Sequence, residues 1–309
     1  MKIAVVGAGA MGSLFGAKLN QTPNSVILVD LWQDHIKKMN EEGLLVETGE
    51  QKESIPVRAL VPEDVREKVD LVLLFTKTFH THAALAGMGR ALDSTTHVVT
   101  LQNGVGQVDI IKQFVNINRI NHGITTYPCT LVGPGHIRTE SQGYVKMMAV
   151  NGEISPVLES FNEALENAGM NSDITPDVTV AIWEKLAFNS AMNALTATLR
   201  ITVGQIDAVK EGRELAFSIV DEAVAVALAK GIAVDDQRIA ATMEMAFAQH
   251  KSHRPSMLQD VEAQRATEID FINGAIVREA KDLGIATPIN ETLLRLVKTV
   301  EASYSRHNG

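Results

Sequence analysis

The sequence predicts an α/β protein in two parts, a doubly wound parallel sheet followed by an all-helical domain. Three observations carry that expectation. A short apolar run, Lys2-Ile3-Ala4-Val5-Val6, breaks into Gly7-Ala8-Gly9-Ala10-Met11-Gly12. A second apolar run, Val26-Ile27-Leu28-Val29, ends at Asp30. Beyond Pro176 almost every segment has helical periodicity.

The opening reads strand, glycine turn, helix, strand, acid, which is the order of a Rossmann-type dinucleotide-binding unit. Gly7 permits the tight turn. Gly9 has no Cβ, so a pyrophosphate can approach the backbone there. Gly12 lets the helix from Ser13 to Leu19 pack closely on the strand. Ala8, Ala10 and Met11 complete the turn. The helix N-terminus offers unpaired N–H groups and a partial positive charge to the phosphates. Asp30 stands close to the expected distance of about 20 residues. A carboxylate there pairs with a free ribose 2′-hydroxyl and repels a 2′-phosphate, which favours NAD(H).

The remaining elements follow in order. Leu31 to Glu42 reads as a helix closed by Gly43. Leu44-Leu45-Val46 and Ile55-Pro56-Val57 look like short edge strands around Gly49. Asp70 to Phe75 is a continuous apolar run, expected of a strand buried on both faces. Thr78 to Leu92 reads as a helix, His97 to Leu101 as a strand, and Val105 to Phe114 as a helix. Short β-prone pieces from Ile120 to Val150 read as antiparallel strands finishing the sheet. Ser155 to Ala168 is a helix closed by Gly169. Helices are then expected over Val178 to Leu199, Glu211 to Lys230, Asp235 to Gln249, Thr267 to Leu283 and Asn290 to Arg306. The division is placed at residues 1–172 for the dinucleotide-binding domain and 173–309 for a helical substrate and dimerisation domain.

Composition narrows the function. The chain has 309 residues, 45% hydrophobic and 21% charged, with a formal net charge of −9. That balance disfavours nucleic acid and anionic membranes as partners. One cysteine, Cys129, permits no internal disulfide and fits a reducing cytoplasm. No apolar run approaches the ~18 residues that a membrane span requires. The histidines form no metal-ligand pattern, so no metal is expected.

The first helix past the boundary carries Lys185, Asn189 and Asn193 at i, i+4 and i+8, a polar stripe about 12 Å long among apolar neighbours. Lysine suits carbonyl reduction, because its ammonium stabilises a developing alkoxide and can protonate it. Asparagine both donates and accepts, so Asn189 and Asn193 can hold a carboxylate or hydroxyl. Asn103 and Lys77 each follow a parallel strand, at the sheet edge where ligands bind in open α/β folds. Read locally, Ser256-Met257-Leu258-Gln259 is a capping box and Thr267-Glu268-Ile269-Asp270 a helix start.

Taken in order, these pieces resemble the ketopantoate reductase (2-dehydropantoate 2-reductase) family. They are the glycine turn, Lys77, Gln102-Asn103-Gly104-Val105, Trp183-Glu184-Lys185 with Asn189 and Asn193, and Ser256-Met257-Leu258-Gln259-Asp260 with Thr267-Glu268-Ile269-Asp270. The resemblance implies reduction of a 2-keto acid to a 2-hydroxy acid in the route to pantothenate, with NADP(H) as the family norm. It implies Lys185 as general acid and Asn103, Asn189, Asn193 and Ser256 as substrate-positioning residues. Glu268 would accept a hydrogen bond from the substrate's terminal hydroxyl, and Lys77 and Asn103 would lie near the cofactor. Two positions depart from the family pattern. Asp30, Leu31 and Trp32 stand where NADPH users carry a basic residue, and Val203 stands where a further asparagine is usual. The alternative reading is therefore an NAD-dependent D-2-hydroxyacid (D-mandelate type) dehydrogenase. A reading of another class is a dinucleotide-binding sensor without turnover. A homodimer through the helical domain is compatible with its apolar helices.

Overall fold

The structure, a computed structural model, describes residues 1–140 and 142–304. Contacts divide it into two compact units. The first comprises Met1–Gln102 and Gln107–Val178, and the second Asn103–Gly106 and Thr179–Gly309.

Among the described residues the first unit holds twelve strands: β1 Lys2–Val6, β2 Ser25–Val29, β3 Leu44–Thr48, β4 Gln51–Ile55, β5 Ala59–Leu60, β6 Leu71–Leu74, β7 His97–Thr100, β8 Ile120–Thr125, β9 Cys129–Gly133, β10 His136–Thr139, β11 Val145–Ala149 and β12 Ser172–Ile174. Its helices are α1 Ala10–Asn20, α2 Gln33–Glu42, α3 Thr81–Gly87, α4 Gln107–Ile111 and α5 Pro156–Asn167. The main sheet has the order β12-β11-β8-β7-β6-β1-β2-β5. Its run from β5 to β8 is parallel throughout, and β11 pairs antiparallel to β8. This is the doubly wound sheet, with β1 at the point where the chain reverses its direction of winding.

Alternate residues of the central strands feed two cores. Ile3, Val5, Leu71 and Leu73 belong to one, and Ala4, Val6, Val72 and Leu74 to the other. Burial on both faces explains why β6 is an unbroken apolar run.

The sequence expected edge strands around Gly49 and a single sheet. Instead β3 and β4 form a hairpin that joins β10 and β9 in a separate sheet of order β4-β3-β10-β9. The first four residues of β4 are exposed while Leu44, Val46, Ile55 and Ile137 face the core shared with Leu14 and Phe15 of α1. One-sided burial allows this small sheet to cover α1 rather than extend the large one. Two helices are shorter than their patterns. Thr78 to Leu92 contains a 3₁₀ turn, Thr78–His80, and then α3, and only α4 forms between Val105 and Phe114.

The second unit consists of α6 Val178–Leu199, α7 Val203–Asp207, α8 Lys210–Ala229, α9 Asp236–Gln249, α10 Ser256–Glu262, α11 Asn273–Leu283 and α12 Pro288–Ser303. Helix α6 runs through its core, with Trp183, Leu186, Ala187, Ala191, Met192 and Leu195 buried among residues of the other helices. The short α7 has a capping box from Thr202 and Gln205. No described helix is long and apolar enough to cross a membrane.

Candidate active site

The first unit builds the glycine turn as the sequence requires. Gly7 has φ of 92°, and a Cβ there would lie 2.4 Å from the backbone N of Thr76. A Cβ on Gly12 would lie 2.0 Å from the Gly7 carbonyl oxygen, so only glycine lets α1 start this close to the turn. At Gly9 a Cβ would meet nothing within 4 Å. Its backbone therefore borders open space at the N-terminus of α1, a fit for a pyrophosphate. Ala8 is buried, whereas Ala10 and Met11 at the start of α1 are only partly covered.

Asp30 follows β2, and its Oδ1 accepts from the backbone N–H groups of Leu31 (2.8 Å) and Trp32 (3.0 Å). Those two donors fix the carboxylate at the end of the strand. Lys77 precedes the 3₁₀ turn after β6 and is half-buried. Among the described residues no cluster of His, Cys, Asp or Glu is placed to hold a metal ion.

The second unit carries the lysine stripe. Lys185, Asn189 and Asn193 lie on α6, with Asn189 and Asn193 buried and Lys185 half-buried. Burial lowers the Lys185 ammonium to about 8, and the carboxylate of Glu268 pulls it partly back up. Glu268 is buried as well. A lysine that titrates near neutrality is suited to passing a proton.

Asn193 is tied to the start of α10. Its Oδ1 accepts from Ser256 Oγ (3.3 Å) and from the backbone N–H of Met257 (3.2 Å). Asn193 and Ser256, 63 positions apart, are thus brought together. The capping box read at Ser256 does not form. Pro255 is the N-cap, Gln259 donates to the Arg254 carbonyl, and a side chain of α6 caps the helix instead. The helix start read at Thr267 also falls later, at Asn273. Glu268 sits in the turn before it, where its carbonyl accepts from Phe271 and Ile272.

The segment Asn103–Gly106 groups with this unit through the same turn. Val105 N–H donates to the Phe271 carbonyl (2.9 Å). Gly104 has φ of 87°, and a Cβ on it would lie 2.2 Å from that carbonyl oxygen. Asn103 is therefore held by the turn that carries Glu268.

Sequence reasoning missed the side chains beneath these groups. Asn273, fully buried, donates to the Ser190 carbonyl of α6 and to Asn290 Oδ1, and Asn290 donates to Glu222. Glu222 also accepts from the N–H groups of Ile289 and Asn290. These residues stand far apart in sequence, so no local spacing marks them.

Comparison with known proteins shows the family. Residues 3–152 match the family model "Ketopantoate reductase PanE/ApbA" and residues 177–301 its C-terminal counterpart. The chain belongs to the ketopantoate reductase family. It is 33% identical to a 2-dehydropantoate 2-reductase of Streptococcus pyogenes, over 98% of each chain. It is 31% identical to that of Archaeoglobus fulgidus, over 97% of this chain and 98% of the relative. Among solved structures, D-mandelate dehydrogenase with NADH and anilino(oxo)acetate superposes with a TM-score of 0.93 and 33% identity, over 98% of this chain and 99% of that one. Members of this family are oxidoreductases, and the chain is an enzyme of that type.

Proposed function

We propose that this enzyme reduces a 2-keto acid to the 2-hydroxy acid with a nicotinamide dinucleotide, and that 2-dehydropantoate is its leading substrate. The observation that carries the reading is Lys185. It stands half-buried on α6, is lowered to about 8, and lies under the influence of Glu268.

The first unit supplies the phosphate-binding turn and the second the proton. When bound, the dihydronicotinamide provides the hydride that reduces C2 of the keto acid. As negative charge grows on the carbonyl oxygen, the Lys185 ammonium stabilises it and then gives it a proton from Nζ, leaving a neutral amine. Asn189 and Asn193 hold the substrate's carboxylate and oxygens along α6. Asn193 does so with its own orientation set by Ser256 and Met257. Asn103 and Lys77 complete the positioning, and Glu268 accepts from a terminal hydroxyl. Curated relatives named 2-dehydropantoate 2-reductase along nearly the whole chain support this substrate.

Asp30 favours NADH over NADPH, because a 2′-phosphate would meet a fixed carboxylate. The same residue favours the second reading, an NAD-dependent D-2-hydroxyacid dehydrogenase. The likeness to D-mandelate dehydrogenase with NADH supports it. A homodimer through the helical unit belongs to either reading, and sedimentation velocity tests it.

The deciding experiment is a steady-state assay at 340 nm that crosses NADH and NADPH with ketopantoate and phenylglyoxylate. Preference for ketopantoate supports the leading substrate and Glu268 as reader of its hydroxyl. Preference for phenylglyoxylate with NADH moves the chain to the second reading. No turnover with any pair, together with dinucleotide binding, refutes both substrate readings.

A further inference from the structure

His35 lies on α2, outside the glycine turn, and is completely buried. Both ring nitrogens are engaged. The backbone N–H of Gly135, in the turn between β9 and β10, donates to Nδ1 at 2.8 Å. An acceptor Nδ1 carries no proton, so in the neutral ring the proton is on Nε2. Nε2 lies 2.7 Å from the carbonyl oxygen of Ala8 and donates to it. Ser13 Oγ donates to the same oxygen, also at 2.7 Å.

Two buried donors thus hold one carbonyl in the middle of the glycine turn. The trans peptide is planar, so its N–H points opposite to its C=O. The N–H paired with the Ala8 carbonyl is that of Gly9, the residue bordering open space. Pinning the carbonyl inward therefore aims the Gly9 N–H outward. The imidazole is itself held in place. The Trp32 ring stacks on it at 5.2 Å between centroids and 14° between planes, and the Trp32 N–H is bound by Asp30.

We propose that His35 is a positioning residue for the dinucleotide: it orients the Ala8–Gly9 peptide so that the Gly9 N–H meets the phosphates. This rests on the reading of the glycine turn as the dinucleotide site. Wild-type binding of NADH is therefore measured first, and its absence would fault that reading rather than His35.

The test uses His35→Phe, which keeps an aromatic ring under Trp32 but has no nitrogen, His35→Gln, which retains a donor, and Ser13→Ala. Dissociation constants for NADH are measured by calorimetry, with KM and kcat from the 340 nm assay. Loss of a buried hydrogen bond predicts NADH binding weakened about tenfold or more in His35→Phe, and a few-fold in Ser13→Ala. KM for NADH should rise in parallel. His35→Gln should recover most of the affinity, and kcat at saturating NADH should stay within about twofold in all three. Wild-type affinity in His35→Phe overturns the proposal. So does a fall in kcat at unchanged KM for NADH. Should His35→Phe fail to fold, wild-type affinity in Ser13→Ala together with unrecovered affinity in a folded His35→Gln overturns it.

Discussion

The protonation state of Lys185 should set the upper pH limit of keto-acid reduction, and Glu268 should set where that limit falls. With the ammonium lowered to about 8, the lysine is about nine-tenths charged at pH 7 and one-tenth at pH 9, so kcat/KM for reduction should fall about tenfold between them. The reverse reaction needs the neutral amine and should rise over the same interval. Glu268→Gln removes the carboxylate that holds the ammonium up. A nearby opposite charge is worth about one pH unit or more, so the descending limb should move to about pH 7 or below. At pH 8 the variant would then retain about one-fifth of wild-type kcat/KM, while the two would nearly coincide at pH 6. The assay is initial rate at 340 nm from pH 6 to 10 with phenylglyoxylate, which lacks the terminal hydroxyl. That choice separates the charge effect from the proposed reading of the hydroxyl. A limb near pH 10 in the wild type, or one unmoved by Glu268→Gln, would refute Lys185 as the proton donor controlled by Glu268.

Three further outcomes are expected. Lys185→Met should lower kcat by at least ~10²-fold, the scale of general acid catalysis, with dinucleotide affinity nearly unchanged. It should also stabilise the fold: the Lys185 pKa lies below its unfolded value, so burying the charge costs most below pH 8 and is relieved as pH rises toward 10.5. The gain, of order 1–3 kcal/mol, should be larger at pH 7 than at pH 10, and thermal unfolding at the two pH values checks this. Gly9→Ala and Gly12→Ala should part company. The first adds a methyl to open space, so it should keep the wild-type melting temperature while NADH binding weakens, and the second drives a Cβ onto the Gly7 carbonyl and should lose both. Finally, Asp30→Arg should shift preference from NADH toward NADPH in the ratio of kcat/KM values, and an unchanged ratio would mean that Asp30 does not face the ribose.

Much of this enzyme was legible before folding because its chemistry is tied to local pattern. A glycine with positive φ, a glycine against a carbonyl and an acid after a strand are constraints within one βαβ unit. The spacing of Lys185, Asn189 and Asn193 follows from the period of one helix. The errors have a common cause. The Ser256 box failed because the Gln259 N–H it needed donates to the Pro255 carbonyl, and Ser256 Oγ turns to donate to Asn193 on another helix. The helix expected at Thr267 begins at Asn273, where the preceding turn bonds to Val105 instead. The strands around Gly49 form their own sheet because one face packs over α1 and the other meets water.

By itself, then, the sequence determined the doubly wound sheet, the helical second part, the dinucleotide turn and the lysine stripe. Each depends on backbone conformation and periodicity over a few consecutive residues. Tertiary structure alone decided the rest: that burial lowers the Lys185 ammonium to about 8 against the opposing pull of Glu268, that Asn193 is oriented by Ser256 and Met257, and that His35 supports the Ala8 carbonyl. Desolvation and hydrogen bonding between distant residues have no period in the chain, and they exist only once the core has closed around them.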